Sequence, residues 1–264
     1  MRRLAERADF KMKAQVPGIN LYFFIEILAQ ELYNGYGSCS DGTGNALVTA
    51  DQLKEFGWRD TSDAFVKKLN DALVKYGITD KNSIALFMAT MAAESDYGRV
   101  ALEEGKDAHF IANGYDRNTR GAGYIQITSK DTHREFLKSM NDSFAGIDTA
   151  TYIEKHYALE ASAWYWSKMN KTSEKNLNAY AAKYGSSSGV FLITQFFVQG
   201  FPTKDPRFDP DLRAIRDGGS FTINKNANGK SVSVSINGNT YMFNQYFNWD
   251  KREAAYNKAV KAFR

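Results

Sequence analysis

Two glutamates stand nine residues apart in the stretch MAAESDYGRVALEEG: Glu94 and Glu103, with Gly98 between them. Paired carboxyls can cleave a glycosidic bond, one protonating the leaving oxygen while the other readies a water. In an unbroken helix that interval would part them by roughly 13 Å along the axis, too far to share one bond. Asp96, Tyr97 and Gly98 are placed to break the helix, with Gly98 as its stop, and to turn the chain back. Inversion needs carboxyls about 6.5–9.5 Å apart, and helix, break and return can supply that.

The two settings differ. Glu94 closes the apolar run SIALFMATMAAES, so burial and the negative end of the helix dipole both disfavour its charge. That suits a general acid. Glu103 leads into Glu104 and Lys106, a polar stretch that suits a general base staying ionised. A glutamate at a helix end is also commonplace, so the pair alone decides little. Further on, TRGAGYIQITSKD reads as a short extended segment whose glycines let backbone approach a ligand. Its exposed face would present Gln126 and Thr128 to hydroxyls, amides or a nucleophilic water. An ordinary structural strand would look the same.

These residues need a scaffold, and the pattern predicts a mainly helical one. Thr49 with Gln52 forms a capping box, and Gly57 stops that helix. Phe65, Leu69, Leu73 and Tyr76 recur at helical spacing. The run from Ser83 is apolar on all sides, the mark of a buried helix. DTHREFLKSM, TATYIEKHYALEASAWYWSKM, EKNLNAYAAKYG, SGVFLITQFFVQG and the closing WDKREAAYNKAVKAFR read as further helices. Trp164 and Trp166, two apart on one helix, point in different directions and read as core. Over about 218–247 the chain alternates and carries Asn228-Gly229 and Asn237-Gly238, the signal of an antiparallel hairpin meander. Residues 1–45 read as a helical appendage and linker, and 46–264 as the main domain with the meander inserted.

Composition is globular: 43% hydrophobic and 24% charged over 264 residues. The net charge of +4 suits an anionic polymer such as a cell wall, but no basic aromatic face points to nucleic acid. One cysteine, Cys39, excludes a disulfide framework within the chain. Three scattered histidines offer no metal-ligand spacing, so neither metal nor cofactor is expected. No run is long and apolar enough to span a membrane. No small-residue cleavage site follows the basic start, so a signal peptide is not expected.

The ordered set AAES…E, GAGYIQIT and YALEASAWYW resembles glycoside hydrolase family 19, the family of chitinases and of bacterial and phage lysozyme-like enzymes. The lead-in VTADQLKEFGW…LNDALVKYGIT is similar to the lysozyme-like branch, called endolysins in phages. The resemblance spans roughly residues 47–200 and the closing helix. It implies a lysozyme-like, two-lobed helical fold around a catalytic cleft. It implies Glu94 as general acid, Glu103 as general base and Thr128 as the hydroxyl that holds the attacking water. Gln126 would line the sugar cleft, Gln199 takes the place of a late family asparagine, and Arg252 matches a cleft arginine. Tyr97 and Tyr124, beside the acids and the glycines, become candidates for stacking on sugars. Departures are Ala122 between the glycines, Thr132-His133 in place of an Asn-Tyr pair, and Gln199-Gly200 in place of Asn-Gly.

Peptidoglycan and chitin are both β-1,4-linked and N-acetylated, and the proposed acids do not separate them. The single cysteine argues against a disulfide-rich plant-type chitinase, and the basic charge favours peptidoglycan. The expectation is a monomer acting at the cell wall, released by lysis, by specialised secretion or by processing from a longer protein. Rival readings are a chitinase, a lytic transglycosylase with one carboxylate, and a glycan-binding module without turnover.

Overall fold

A reciprocal cap opens helix α1 (Ala50–Phe56) in the computed structural model of the chain, which describes residues 46–168, 176–199, 207–243 and 247–263. Thr49 accepts from the Gln52 amide, Gln52 accepts from the Thr49 amide, and Gly57 closes the helix at φ 89°. The expected appendage over 1–45, Cys39 with it, lies outside the described residues, as do Gly200 and 244–246.

Nine more helices follow among the described residues: α2 (Asp63–Lys75), α3 (Lys81–Ser95), α4 (Asp107–Ala112), α5 (Lys130–Ser139), α6 (Thr149–Lys168), α7 (Leu177–Tyr184), α8 (Ser188–Val198), α9 (Phe208–Arg216) and α10 (Trp249–Ala262). Phe65, Leu69 and Leu73 give α2 its buried face. Helix α3 is buried on nearly every side, as its uniform apolar run requires, and α10 packs along it. Helix α6 is kinked at Tyr157, where φ is −142°. The short α4, a 3-10 turn (Arg117–Thr119) and α9 are not among the helices expected from the sequence, although Phe208, Leu212 and Ile215 do recur at helical spacing in α9.

Strands β1 (Phe221–Lys225), β2 (Ser231–Ile236) and β3 (Asn239–Met242) form one antiparallel sheet in that order, so the meander is present. Asn237 and Gly238 have φ of 50° and 80°, the paired positive values of a two-residue hairpin turn. Asn228-Gly229 sits in a longer loop, where the Asn226 amide donates to Lys230 O at 2.9 Å. Asp211 of α9 ties the sheet down by accepting from Asn237, Asn239 and the Tyr241 hydroxyl.

The apolar core falls into two clusters. The larger joins Leu53, Phe56, Phe87, Trp166, Phe191 and Trp249; the smaller joins Ala122, Ile127, Phe136, Ile153 and Trp164. Helix α6 serves both: Trp164 meets Phe136 at 5.4 Å and Trp166 meets Phe87 at 5.7 Å. Both indoles are core, as their spacing predicts. The fold is mainly α with a small antiparallel sheet near the C-terminus, and no described helix is long and apolar enough to cross a membrane.

Candidate active site

Glu94 lies in the last turn of α3, and its carboxylate is gripped from two distant parts of the chain. Arg252 Nη2 donates to Glu94 Oε1 at 2.6 Å, and Gln199 Nε2 donates to the same oxygen at 2.7 Å. The other oxygen, Oε2, accepts no hydrogen bond from the described residues. The side chains of Arg252 and Glu94 are 4% and 15% exposed. An apolar helix does lead to Glu94, but the acid itself meets a cation and an amide. This corrects the expectation of an oily setting, which rested on α3 alone.

Arg252 is buried behind Glu94 and does not stand on an open cleft wall. Its Nη1 donates to Gln195 Oε1 at 2.7 Å and its Nε to Phe247 O at 2.6 Å. Gln195 passes the chain on, donating from Nε2 to Thr90 Oγ1 at 2.8 Å. Gln195 and Thr90 are fully buried. Sequence reasoning missed both, although each is a polar residue inside an apolar helical run, and that anomaly is a readable signal.

The helix stops at Ser95, three residues before the glycine expected to end it. Asp96 is the left-handed cap at φ 51°, and Tyr97 follows at φ 57°. Such backbone costs a non-glycine residue roughly 1–2 kcal/mol, and strain of this kind collects at functional sites. Ser95 Oγ secures the turn by donating to Met91 O at 2.6 Å and accepting from the Gly98 amide at 2.9 Å. Gly98 is needed for a second reason: a Cβ there would lie 2.6 Å from the Trp58 ring.

Beyond the turn the chain pairs with the glycine segment. The Glu103 amide donates to Gly121 O at 2.8 Å, and the Gly123 amide donates to Ala101 O at 2.9 Å. This pairing cradles the Glu103 carboxylate. Its Oε2 accepts from the Gly121 amide at 2.9 Å, and the Tyr115 hydroxyl reaches Oε1 at 2.9 Å and Oε2 at 3.1 Å. His109 Nε2 stands 3.4 Å from Oε1, and the Glu103 side chain keeps 25% exposure. Tyr115 and His109 went unrecognised, since they lie in a polar stretch without periodicity.

Residues 121–128 correct a second expectation. They do not form an extended strand. Ala122 and Ile127 exchange backbone hydrogen bonds of 3.0 and 2.9 Å, closing a tight loop. Gly123 at φ 74° and Gln126 at φ 60° turn it. A Cβ on Gly123 would lie 2.9 Å from Ala158 O, so backbone does approach closely here, although its partner is α6. Gln126 Nε2 donates to Gly123 O at 2.8 Å. A Cβ at Gly121 would touch both Gln126 and the Glu103 Cβ, so these two side chains flank one glycine. Thr128 donates its hydroxyl proton to Gln126 O at 3.1 Å, leaving its lone pairs for a further donor.

The two candidate sugar platforms are part of the packing. Tyr97 lies 5.2 Å from Phe56, with Lys258 Nζ 4.8 Å above its ring. Tyr124 meets Trp58 edge-on at 5.3 Å and Phe65 at 6.3 Å. Burial raises both phenols above their usual value, Asp96 adding to it at Tyr97 and Asp60 at Tyr124. The structure thus joins Glu94, Gln199 and Arg252 in one network and Glu103 with Gln126 and Thr128 around one loop, and it sets the two tyrosines among aromatic neighbours.

No protein-family model and no curated protein matches the chain. Among solved structures, chitinase C from Streptomyces griseus HUT6037 is similar at 17% identity and TM-score 0.47, over 66% of this chain and 91% of that one. A mutant of chitinase C is similar at 16% identity and TM-score 0.46, over 66% of this chain and 90% of that one.

Proposed function

We propose that the chain is a glycoside hydrolase that cleaves β-1,4 bonds of peptidoglycan by inversion. The observation that carries this reading is the asymmetric pair: two half-buried glutamates on the two arms of one strained turn, each held by its own donors. Arg252 and Gln199 occupy Glu94 Oε1, so Oε2 is the oxygen left to hold a proton when Glu94 acts as the acid. That proton goes to the leaving glycosidic oxygen. Glu103, an acceptor held by a hydroxyl and a backbone amide, takes a proton from water as the water attacks the opposite face of the sugar. Thr128 has lone pairs to orient that water, and Gln126 borders the same loop. The acid network and the base cradle lie against different apolar clusters, so substrate would run between two packed bodies.

Chitin fits the same chemistry. The enzyme would act as a monomer at the cell wall. Product analysis from purified peptidoglycan and from chitin oligomers tests the reading. Free reducing ends with inverted anomeric configuration are expected, with turnover of Glu103→Gln falling by about 10²–10⁴-fold. Full activity in Glu103→Gln, or an anhydro sugar among the products, overturns the two-carboxylate mechanism. Binding without any cleavage makes the protein a glycan-binding module.

A further inference from the structure

Tyr115 has two sides. Its hydroxyl spans the Glu103 carboxylate, and the residue also lines a cavity of about 480 Å³ with Ile111, Asp116, Thr119, Lys130 and Asp131. Ser129, next to Thr128, lies on the same wall, and its amide donates to Thr119 O at 3.0 Å. Tyr115 thus borders both the cavity and the proposed base, and Ser129 on the cavity wall directly follows Thr128 in the chain.

Its lining is unlike a sugar platform. Ile111 is 70% exposed, an apolar side chain left open on the rim. Lys130 and Asp131 are exposed, of opposite sign, and without an ion-pair partner among the described residues. A bare N-acetylglucosamine strand carries no charge and can offer these groups only hydroxyls, amides and acetyl methyls. A strand whose sugars bear short peptides offers more: such a substituent presents carboxylates, an amine and small apolar side chains together. Charges of both signs beside an aliphatic rim complement that mixture.

We infer that this cavity receives the peptide substituent of the glycan and so selects peptide-bearing strands over bare ones. The inference rests on the glycosidase reading above and names the substrate class of the same site. Peptide binding beside Tyr115 would favour placement of the scissile bond against Glu103 when the neighbouring sugar is substituted.

The test compares three substrates: purified peptidoglycan, the same strands stripped of peptide by an amidase, and chitin oligomers. The intact chain should cleave peptide-bearing strands with kcat/KM at least about tenfold above stripped strands, and Ile111→Ser with Lys130→Glu should remove that preference. The double variant should keep its rate on stripped strands, because neither residue touches Glu94 or Glu103. Both side chains are exposed, so folding is preserved, and an unchanged thermal midpoint confirms it. Equal rates on peptide-bearing and stripped strands, or a preference that survives the double variant, overturn the inference and leave the glycosidase reading intact. An intact chain inert on all three substrates overturns both.

Discussion

Arg252 reaches back 158 positions to hold Glu94, donating from Nη2 to Oε1 at 2.6 Å. One guanidinium thereby joins the C-terminal end of α3, the buried Gln195 of α8 and the Phe247 carbonyl that precedes α10. Its planar fork serves three acceptors in fixed directions, which an ammonium on a flexible stem does not reproduce. Arg252 thus fixes which oxygen of Glu94 remains available, and it does so from a position with little access to water.

Truncating Arg252 leaves the Glu94 carboxylate with Gln199 alone and the buried Gln195 amide oxygen without its donor. Arg252→Met should cost about 3–5 kcal/mol of stability, read as a lowered urea midpoint. Adding Glu94→Gln should recover part of that loss, because the abandoned charge is gone. A double variant no more stable than Arg252→Met would show that the two residues are not energetically coupled.

Gly98 is held by two constraints at once, a φ of 80° and the Trp58 ring that a Cβ would strike. Gly98→Ala should cost about 2–5 kcal/mol, the sum of left-handed strain and overpacking. Gly114, at φ 82° with open space around it, is the control: Gly114→Ala should lose only about 1–2 kcal/mol. Equal losses in the two variants would remove Trp58 from the account. Because the Gly98 turn links the two glutamates, glycan cleavage should fall in Gly98→Ala and persist in Gly114→Ala.

Local chemistry was readable where it was complete within a few residues. Thr49 with Gln52, Gly57, the apolar periodicity of α2 and the Asn237-Gly238 turn each satisfy their own backbone, and each appears as expected. Asn228-Gly229 shows the limit, since the same dipeptide was absorbed into a longer loop. The loop over 121–128 was misread because alternating apolar residues also suit a turn whose Ala122 and Ile127 pair with each other. Glu94 and Glu103 are legible as a spaced pair of acids, but their partners are not legible from spacing: Arg252 enters only through the resemblance, as a cleft arginine, and Gln195 and Tyr115 not at all, because packing between elements brings them in. The setting of Glu94 was misjudged for that reason. Helix α3 alone predicts an apolar neighbourhood, and α10 supplies the cation.

His133 is fully buried and bridges the loop at Ile127 to α6. Its Nε2 lies 2.9 Å from Ile127 O, which can only accept, so Nε2 carries the proton; Nδ1 lies 2.8 Å from the Thr149 hydroxyl and accepts from it in the neutral ring. Burial lowers the imidazole below its usual 6.5, opposed by the Ile127 carbonyl, Asp148 and Asp116 and reinforced by Arg134. The unfolded chain takes up this proton near 6.5, while the folded chain resists it until lower pH. Between those two values the unfolded state binds more protons, so stability falls as pH drops through the window. Urea midpoints at about pH 5 and about pH 7.5, for the intact chain and for His133→Gln, isolate the contribution. The intact chain should lose more stability on acidification than His133→Gln does, and the His133 ring resonances in the unaltered protein should titrate below 6.5. A gap between the two proteins that is the same at both pH values would show that folding leaves the proton affinity of this imidazole unchanged, and a ring that titrates above 6.5 would show that the fold favours its charged form.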